Sequence, residues 1–334
     1  MDCEPPLAQV FLNLPATNIE TDEQPIDVSG LKCYELPLVD LGRLNSGHTM
    51  NRKECEKEII EAAKEWGFFQ VVNHGICKEM LVKLQEEQVK LFQQPFHKKA
   101  NQSRSNSPTG FYRWGNLAAT SRAHFSWSEA FHIPVSSVSD FRTLNHSSST
   151  VEEYIEVVSE LIQIIAEILA DNMGICFHKT FLAEKVVPSS CYLRMNRYPP
   201  CPNSYSKARG LVSHTDTSYL TVLQQDNIGG LQLMKDGAWI CVKPNPNALV
   251  INIGDLFEAW SNGLYKSVRH RVVTNGQVER FSVAYFYCPT TETVVRSCSQ
   301  PSIYRDFTFE EFKRQIQFDV RSTGNKIGLP RFLR

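Results

Sequence analysis

From Cys191 onward the chain alternates with period two. Tyr192, Arg194, Asn196 and Tyr198 fall on one side, and Cys191, Leu193, Met195 and Arg197 on the other. The first side is a row of polar and aromatic groups beside an apolar row. Buried polar groups need partners, and a ligand-filled barrel interior supplies them. Short apolar runs follow at residues 220–224, 231–234, 239–242 and 248–253, with turn signals at Gly229-Gly230 and Asp236-Gly237. Many short strands at this spacing predict a sandwich or barrel. Residues 255–261 predict a short helix. Asn262-Gly263 turns into a strand-like run at 265–273, and Asn275-Gly276 signals a hairpin into Arg280-Phe281-Ser282.

The first half of the chain follows a helical period instead. Residues 51–66 place Cys55, Ile59, Ala62, Ala63 and Trp66 at helical spacing, with Gly67 set to end the helix. Residues 68–73 predict an apolar strand, closed by His74-Gly75, where His74 reads as a turn residue and not a ligand. A second helix spans 78–92, with Met80, Leu81, Leu84, Leu91 and Phe92 on one side. The clearest helix spans 151–173, where Glu152, Glu156, Glu160, Gln163, Glu167 and Asp171 recur opposite an Ile/Leu/Val face. A C-terminal helix is expected at 307–320 and a short strand at 36–40. Pro5-Pro6 and Pro15 argue against a long helix near the start, so 1–34 reads as an extended lead. Residues 100–108 and 140–150 are polar and read as loops. The aromatic stretches 110–115 and 125–131 read as strands or lid segments, serving either the core or the wall of an apolar pocket.

Composition narrows the function. The chain has 334 residues, 42% of them hydrophobic, enough for one large core. Lys+Arg number 35 against 36 Asp+Glu, and without a basic excess neither nucleic acid nor an anionic membrane is an expected partner. No signal peptide or membrane-spanning stretch is apparent. Ten cysteines are scattered without a Cys-x-x-Cys pair. They read as reduced thiols of a cytoplasmic protein, with the nucleus a further location.

The candidate chemistry centres on His214-Thr215-Asp216. Two residues apart in a strand, an imidazole and a carboxylate aim at one spot. His-x-Asp alone is a weak signal, since most histidines are ordinary core or surface residues. His270, in the run 265–273, is the best candidate for a second imidazole. Two His and one carboxylate, with other positions open, form the facial triad of non-haem Fe(II) oxygenases. Ten residues on, Arg280 and Ser282 share a strand face. A guanidinium fork and a hydroxyl suit the far carboxylate of a small dicarboxylic acid, whose near end is free to chelate the metal. Arginine also stays charged inside a barrel, where lysine could lose its proton.

These residues resemble the site of the 2-oxoglutarate/Fe(II)-dependent dioxygenases. Asn196-Arg197-Tyr198-Pro199-Pro200-Cys201-Pro202 and Gly67-Phe68-Phe69-Gln70-Val71-Val72-Asn73-His74-Gly75 resemble the plant soluble branch, and the likeness runs over roughly residues 35 to 332. The resemblance implies a mainly β fold with surrounding helices: a double-stranded β-helix, or jelly roll, at 186–291. A helical N-terminal region at 35–185 and a C-terminal helix and tail at 292–334 would pack around it. It implies Fe(II) held by His214, Asp216 and His270. It also implies 2-oxoglutarate held by Arg280 and Ser282, with Tyr198 and Asn196 joining them. O2 is the other co-substrate, and ascorbate a supporting reductant. Within the plant branch, Tyr112-Arg113-Trp114-Gly115, Ser126-Trp127-Ser128-Glu129-Ala130-Phe131-His132 and the ending Gly328-Leu329-Pro330-Arg331-Phe332-Leu333 resemble gibberellin 2-beta-dioxygenases, especially those acting on C20 gibberellins.

That resemblance implies an apolar, carboxylate-bearing small-molecule substrate and no obligate protein partner. Arg194, on the inward face of its strand, is the first candidate for a substrate carboxylate; an internal salt bridge is the competing role. Phe286 shares a face with Arg280, Ser282 and Ala284, so it could pack on substrate rings. Tyr112, Arg113 and Trp127 are weaker candidates. Two other readings compete: a related plant dioxygenase acting on a flavonoid, auxin or other specialised metabolite, and a non-catalytic binding protein. The intact triad argues against the latter, which has no need of open metal positions.

Overall fold

The alternation that begins at Tyr192 becomes one wall of a cavity between two sheets. The computed structural model describes residues 3–16, 33–45, 47–102, 110–116, 118–174, 189–202, 205 and 208–334. The helices are α1 (Leu7–Asn13), α2 (Thr49–Trp66), α3 (Lys78–Phe92), α4 (Phe96–Gln102), α5 (Val138–Asn145), α6 (Thr150–Asp171), α7 (Asp255–Trp260) and α8 (Phe309–Thr323). The strands are β1 (Cys33–Tyr34), β2 (Leu38–Asp40), β3 (Phe68–Val72), β4 (Tyr112–Trp114), β5 (Glu129–Pro134), β6 (Tyr192–Tyr198), β7 (Arg209–His214), β8 (Leu220–Gln225), β9 (Leu231–Lys235), β10 (Ala238–Val242), β11 (Leu249–Ile253), β12 (His270–Val273) and β13 (Arg280–Tyr287). One sheet runs β1-β10-β9-β12-β7, the other β2-β3-β11-β8-β13-β6-β5-β4. This is the jelly-roll arrangement, with helices around it.

The larger sheet is buried on both faces. On β13 the even residues Arg280, Ser282, Ala284 and Phe286 line the cavity. The odd residues Val283, Tyr285 and Tyr287 join the main apolar core, with Leu84 and Leu91 of α3 and Ile155, Ile162 and Ile165 of α6. The periodic apolar faces of α3 and α6 thus cover the outer face of the sheet. Buried Gln88 of α3 donates to the carbonyls of both Asn196 and Ser282, at 3.0 and 2.9 Å. It satisfies two main-chain acceptors behind the cavity wall. Gly67 ends α2 at φ +62°, its N–H bonded to Ala63 O. That conformation costs glycine nothing.

The structure departs from the sequence reading in three places. The N-terminal lead is not extended throughout. Pro5-Pro6 precede α1, where proline is tolerated, and Leu7 and Phe11 of α1 are buried with Phe125, Trp127 and Ala208. Residues 140–150 are not all loop, because α5 runs through Asn145. Its polar composition hides one apolar anchor, Phe141, whose ring meets Phe111 and Phe131 at 5.4 and 5.6 Å. The hairpin expected at Asn275-Gly276 does not form: β12 pairs with β7 and β9 in one sheet and β13 with β6 and β8 in the other, so His270 and Arg280 reach the cavity from different sheets, while β2 and β3 stand where strands were expected. The expected loop at 100–108 falls largely outside the described residues. Among the described residues no helix is long and apolar enough to cross a membrane.

Candidate metal centre and cavity

β7 and β12 are antiparallel neighbours, and His214 and His270 are register partners. Opposed side chains on such a pair share a face, so strand pairing alone brings the imidazoles together, with ring centroids 4.3 Å apart. Each Nδ1 faces a carbonyl two residues back, Val212 O at 2.8 Å and Val268 O at 3.1 Å. A carbonyl only accepts, so Nδ1 carries the proton and Nε2 presents a lone pair. Phe68 packs edge-on against the His270 ring.

Asp216 completes the set by a different route from the one its spacing suggests. β7 ends at His214, so Asp216 lies beyond the strand and no pleat aims it. Instead Asp255 N–H donates to Asp216 O at 2.9 Å. The Thr221 hydroxyl and the Asn252 amide each donate to Asp216 Oδ2 at 2.8 Å. Oδ1 is left facing both imidazoles, 3.6 Å from each Nε2. Metal bonds of about 2.1 Å place adjacent ligand atoms roughly 3 Å apart, so small movements suffice for all three to reach one ion. The three donors lie within 4.8 Å of one another.

The electrostatics suit a divalent cation. Burial and the neighbouring His270 hold the His214 imidazole down to about 3, so it is neutral at physiological pH. Burial acts to raise the Asp216 carboxyl. The two imidazoles and the bonds from Asn252 and Thr221 outweigh it and keep the group below its ordinary value. A neutral His214 imidazole and an ionised Asp216 carboxylate are the protonation states that metal binding requires of these two groups.

The cavity wall beside this centre is made by four register pairs of β6 and β13: Tyr198 with Arg280, Asn196 with Ser282, Arg194 with Ala284, and Tyr192 with Phe286. All eight side chains line the cavity, as the period-two reading requires. Arg280 is 2% exposed. It donates to Ser282 Oγ at 3.2 Å and to Gln225 Oε1 at 2.8 Å, lies over the Tyr198 ring at 4.9 Å, and has a buried Nε without a partner. Every one of these partners is neutral. A buried guanidinium hydrogen-bonded only to neutral groups, with the Asp226 carboxyl near enough to feel its charge, fits the distal carboxylate of a 2-oxo diacid.

Tyr112, Arg113 and Trp127 do not line this cavity. Tyr112 is buried with its hydroxyl on Glu129, and Trp127 stacks on Tyr205 against Phe11. Arg113 lies close enough to Arg194 that burial and this like charge both lower its affinity for its proton. Thr221, Asn252, Gln225 and Lys326 belong to the site and were not singled out by sequence. Asn252 had a signal, a lone amide inside an apolar strand. Lys326 had none.

Comparison with known proteins agrees with this geometry. The 2OG-Fe(II) oxygenase superfamily matches residues 189–289, and the N-terminal domain described as non-haem dioxygenase in morphine synthesis matches residues 36–152. Gibberellin 2-beta-dioxygenase 8 of Arabidopsis thaliana is 47% identical over 99% of this chain and 98% of its own length. The chain belongs to the 2-oxoglutarate/Fe(II)-dependent oxygenases. Gibberellin 2-beta-dioxygenase 6 of Oryza sativa subsp. japonica is also 47% identical, over 90% of this oxygenase and 85% of its own length. Among solved structures, JOX2 in complex with 2OG, Fe and JA superposes with a TM-score of 0.77 at 30% identity, covering 99% of both chains. The rice dioxygenase for auxin oxidation gives 0.72 at 27% identity, covering 90% of this chain and all of its own. The oxygenase therefore uses Fe(II) as its metal, with 2-oxoglutarate and O2 as co-substrates.

Proposed function

We propose that this oxygenase 2-beta-hydroxylates gibberellins, with C20 forms favoured, and so removes the hormone or its precursors. The observation that carries this reading is the likeness, at 41–47% identity over most of the chain, to four gibberellin 2-beta-dioxygenases. His214, Asp216 and His270 hold Fe(II). Arg280 and Ser282 take the distal carboxylate of 2-oxoglutarate, with Tyr198 beneath the guanidinium and Asn196 beside it. Fe(II), when bound, supplies the activation of O2 that couples decarboxylation of 2-oxoglutarate to oxygen insertion into a C–H bond. The chain fixes both partners around that ion and keeps water out with Phe68, Leu211, Leu223, Leu231 and Val272, all of which line the cavity.

Arg194 is the substrate's carboxylate partner in this reading. Its Nε donates to Asn196 Oδ1 at 2.7 Å, which orients the guanidinium and leaves its two terminal nitrogens for a ligand. Phe286, stacked on Tyr192 with ring centroids 4.4 Å apart, gives the substrate rings a flat apolar surface. The test is incubation with Fe(II), ascorbate, O2, 2-oxoglutarate and a panel of C20 and C19 gibberellins, jasmonate and auxin. Succinate and the one-oxygen product are followed by mass spectrometry. A 2-beta-hydroxylated gibberellin with matching succinate supports the assignment. Product from another member of the panel alone replaces it.

A further inference from the structure

The loop that carries Asp216 has no strand ladder of its own, yet four of its five carbonyls are engaged. Residues 215–219 lie between β7 and β8. The N-terminus of α7 takes three of these carbonyls: Gly254 N–H donates to Tyr219 O, Asp255 N–H to Asp216 O and Leu256 N–H to Ser218 O. Only glycine fits at 254, where a Cβ would lie 2.1 Å from Ser218 O. The carbonyl of Thr215, the residue between the two ligands, is taken by a side chain from the far end of the chain. Lys326 Nζ donates to it at 2.7 Å and pairs with Asp255 Oδ2 at 2.6 Å. The Thr215 hydroxyl donates to that same Asp255 oxygen at 3.1 Å. Lys326 is nearly buried, its side chain 11% exposed, and it lines the cavity.

We propose that Lys326 is a positioning residue for the metal centre. It fixes the Thr215 peptide so that His214 Nε2 and Asp216 Oδ1 converge. The physical case is one of accounting for main-chain groups. Without Lys326 the Thr215 carbonyl loses its donor and the nearly buried Asp255 carboxylate loses its counter-charge. Thr215 is then free to rotate, and each rotation moves both flanking ligands. Partners behind a metal ligand typically change metal affinity by roughly 10–100-fold when removed, and Lys326 acts on two ligands through one peptide. The C-terminal tail, which carries no ligand, thereby becomes part of the metal centre. This inference rests on the metal site and not on the gibberellin assignment.

The test uses the full-length protein and Mn(II) as a redox-stable stand-in for Fe(II), with affinity read by calorimetry and folding by thermal unfolding of the metal-free protein. Lys326→Met is expected to bind Mn(II) roughly 10–100-fold more weakly, with partial recovery in Lys326→Arg. Lys326→Gln keeps a neutral N–H donor and is expected to lose several-fold. It carries the test if the Met variant does not fold. Mn(II) affinity within twofold of wild type in the folded variant overturns the proposal. Arg331→Ala is the control, because it breaks the tail's other ion pair, Arg331–Asp319 at 3.0 Å, without touching the loop. It should lower the unfolding midpoint and leave Mn(II) affinity unchanged. An equal loss of affinity in Arg331→Ala would assign the effect to tail docking in general and overturn the role of Lys326. A protein that binds Mn(II) normally and turns over no gibberellin sinks the substrate assignment alone.

Discussion

Replacing Arg280 by Met separates the co-substrate's contribution from that of the fold. In the ligand-free protein this buried guanidinium hydrogen-bonds to neutral Ser282 and Gln225 and lies over the Tyr198 ring. The Asp226 carboxyl is near enough to feel this charge but is not one of its hydrogen-bond partners, so an apolar side chain of similar length should cost the fold little. For the co-substrate the sign reverses. A hydrogen bond to a charged group contributes about 1.5–3 kcal/mol, which at about 1.4 kcal/mol per decade is roughly 10- to 150-fold in affinity. A ligand at 100 times its dissociation constant stabilises the native state by about 2.7 kcal/mol, and at one times that constant by only about 0.4 kcal/mol. Thermal unfolding of the Mn(II) protein, with and without 2-oxoglutarate, reads both effects. Arg280→Met should keep or raise the ligand-free midpoint and lose most of the 2-oxoglutarate-induced rise. Titration of 2-oxoglutarate against succinate formation should show KM raised more than tenfold. A KM within threefold of wild type would refute the assignment of the distal carboxylate to Arg280.

Asn252→Ala removes one of the two donors on Asp216 Oδ2 and should weaken Mn(II) binding roughly 10–100-fold, read by calorimetry. Burial, then Arg113 and Arg194, hold His132 down to about 3 in the folded state, whereas an unfolded histidine titrates near 6.5. Below pH 6.5 the unfolded chain therefore binds the extra proton, and the group withdraws about 1.4 kcal/mol of stability per pH unit down to about pH 3. His132→Phe, which keeps a ring against Tyr192, should flatten the stability profile between pH 4 and 6.5, and parallel profiles would exclude this. Phe11→Ala empties the slot among Phe125, Trp127 and Tyr205. It should cost about 3–5 kcal/mol in denaturant unfolding while leaving Mn(II) affinity intact.

The inward faces of the cavity wall were legible from period two alone. Alternate residues of β6 and β13 share the inward face as period two requires, but the pairing Tyr198–Arg280 through Tyr192–Phe286 is a long-range fact that the local pattern did not contain. The histidines were legible as a two-His, one-carboxylate set, but the pairing of β7 with β12 that opposes them was not, since the His270 strand was expected beside Arg280. Asp216 was identified correctly by residue and wrongly by cause, because turn hydrogen bonds and not the pleat aim it. What escaped was whatever depends on contacts between distant segments. Lys326 meets Thr215 across 111 residues, and nothing near either one encodes the encounter. Phe141 and Phe11 each anchor a short helix whose neighbours are mostly polar or interrupted by proline. A local window gives such anchors too little weight, while the packed core gives them nearly all of it.

The four register pairs also make β6 and β13 a pair of rulers. Arg280 and Phe286 are six residues apart on one strand, about 20 Å at the usual rise. In the proposed reading, one end takes 2-oxoglutarate and the other meets the molecule to be altered. Sites more than about 7–10 Å apart with no shared partner respond independently to substitution. Drift at Tyr192 and Phe286, the pair farthest from Arg280, can therefore retune the far end while the Arg280 end stays intact. A scaffold divided in this way can yield new specificities by gene duplication without passing through an inactive ancestor.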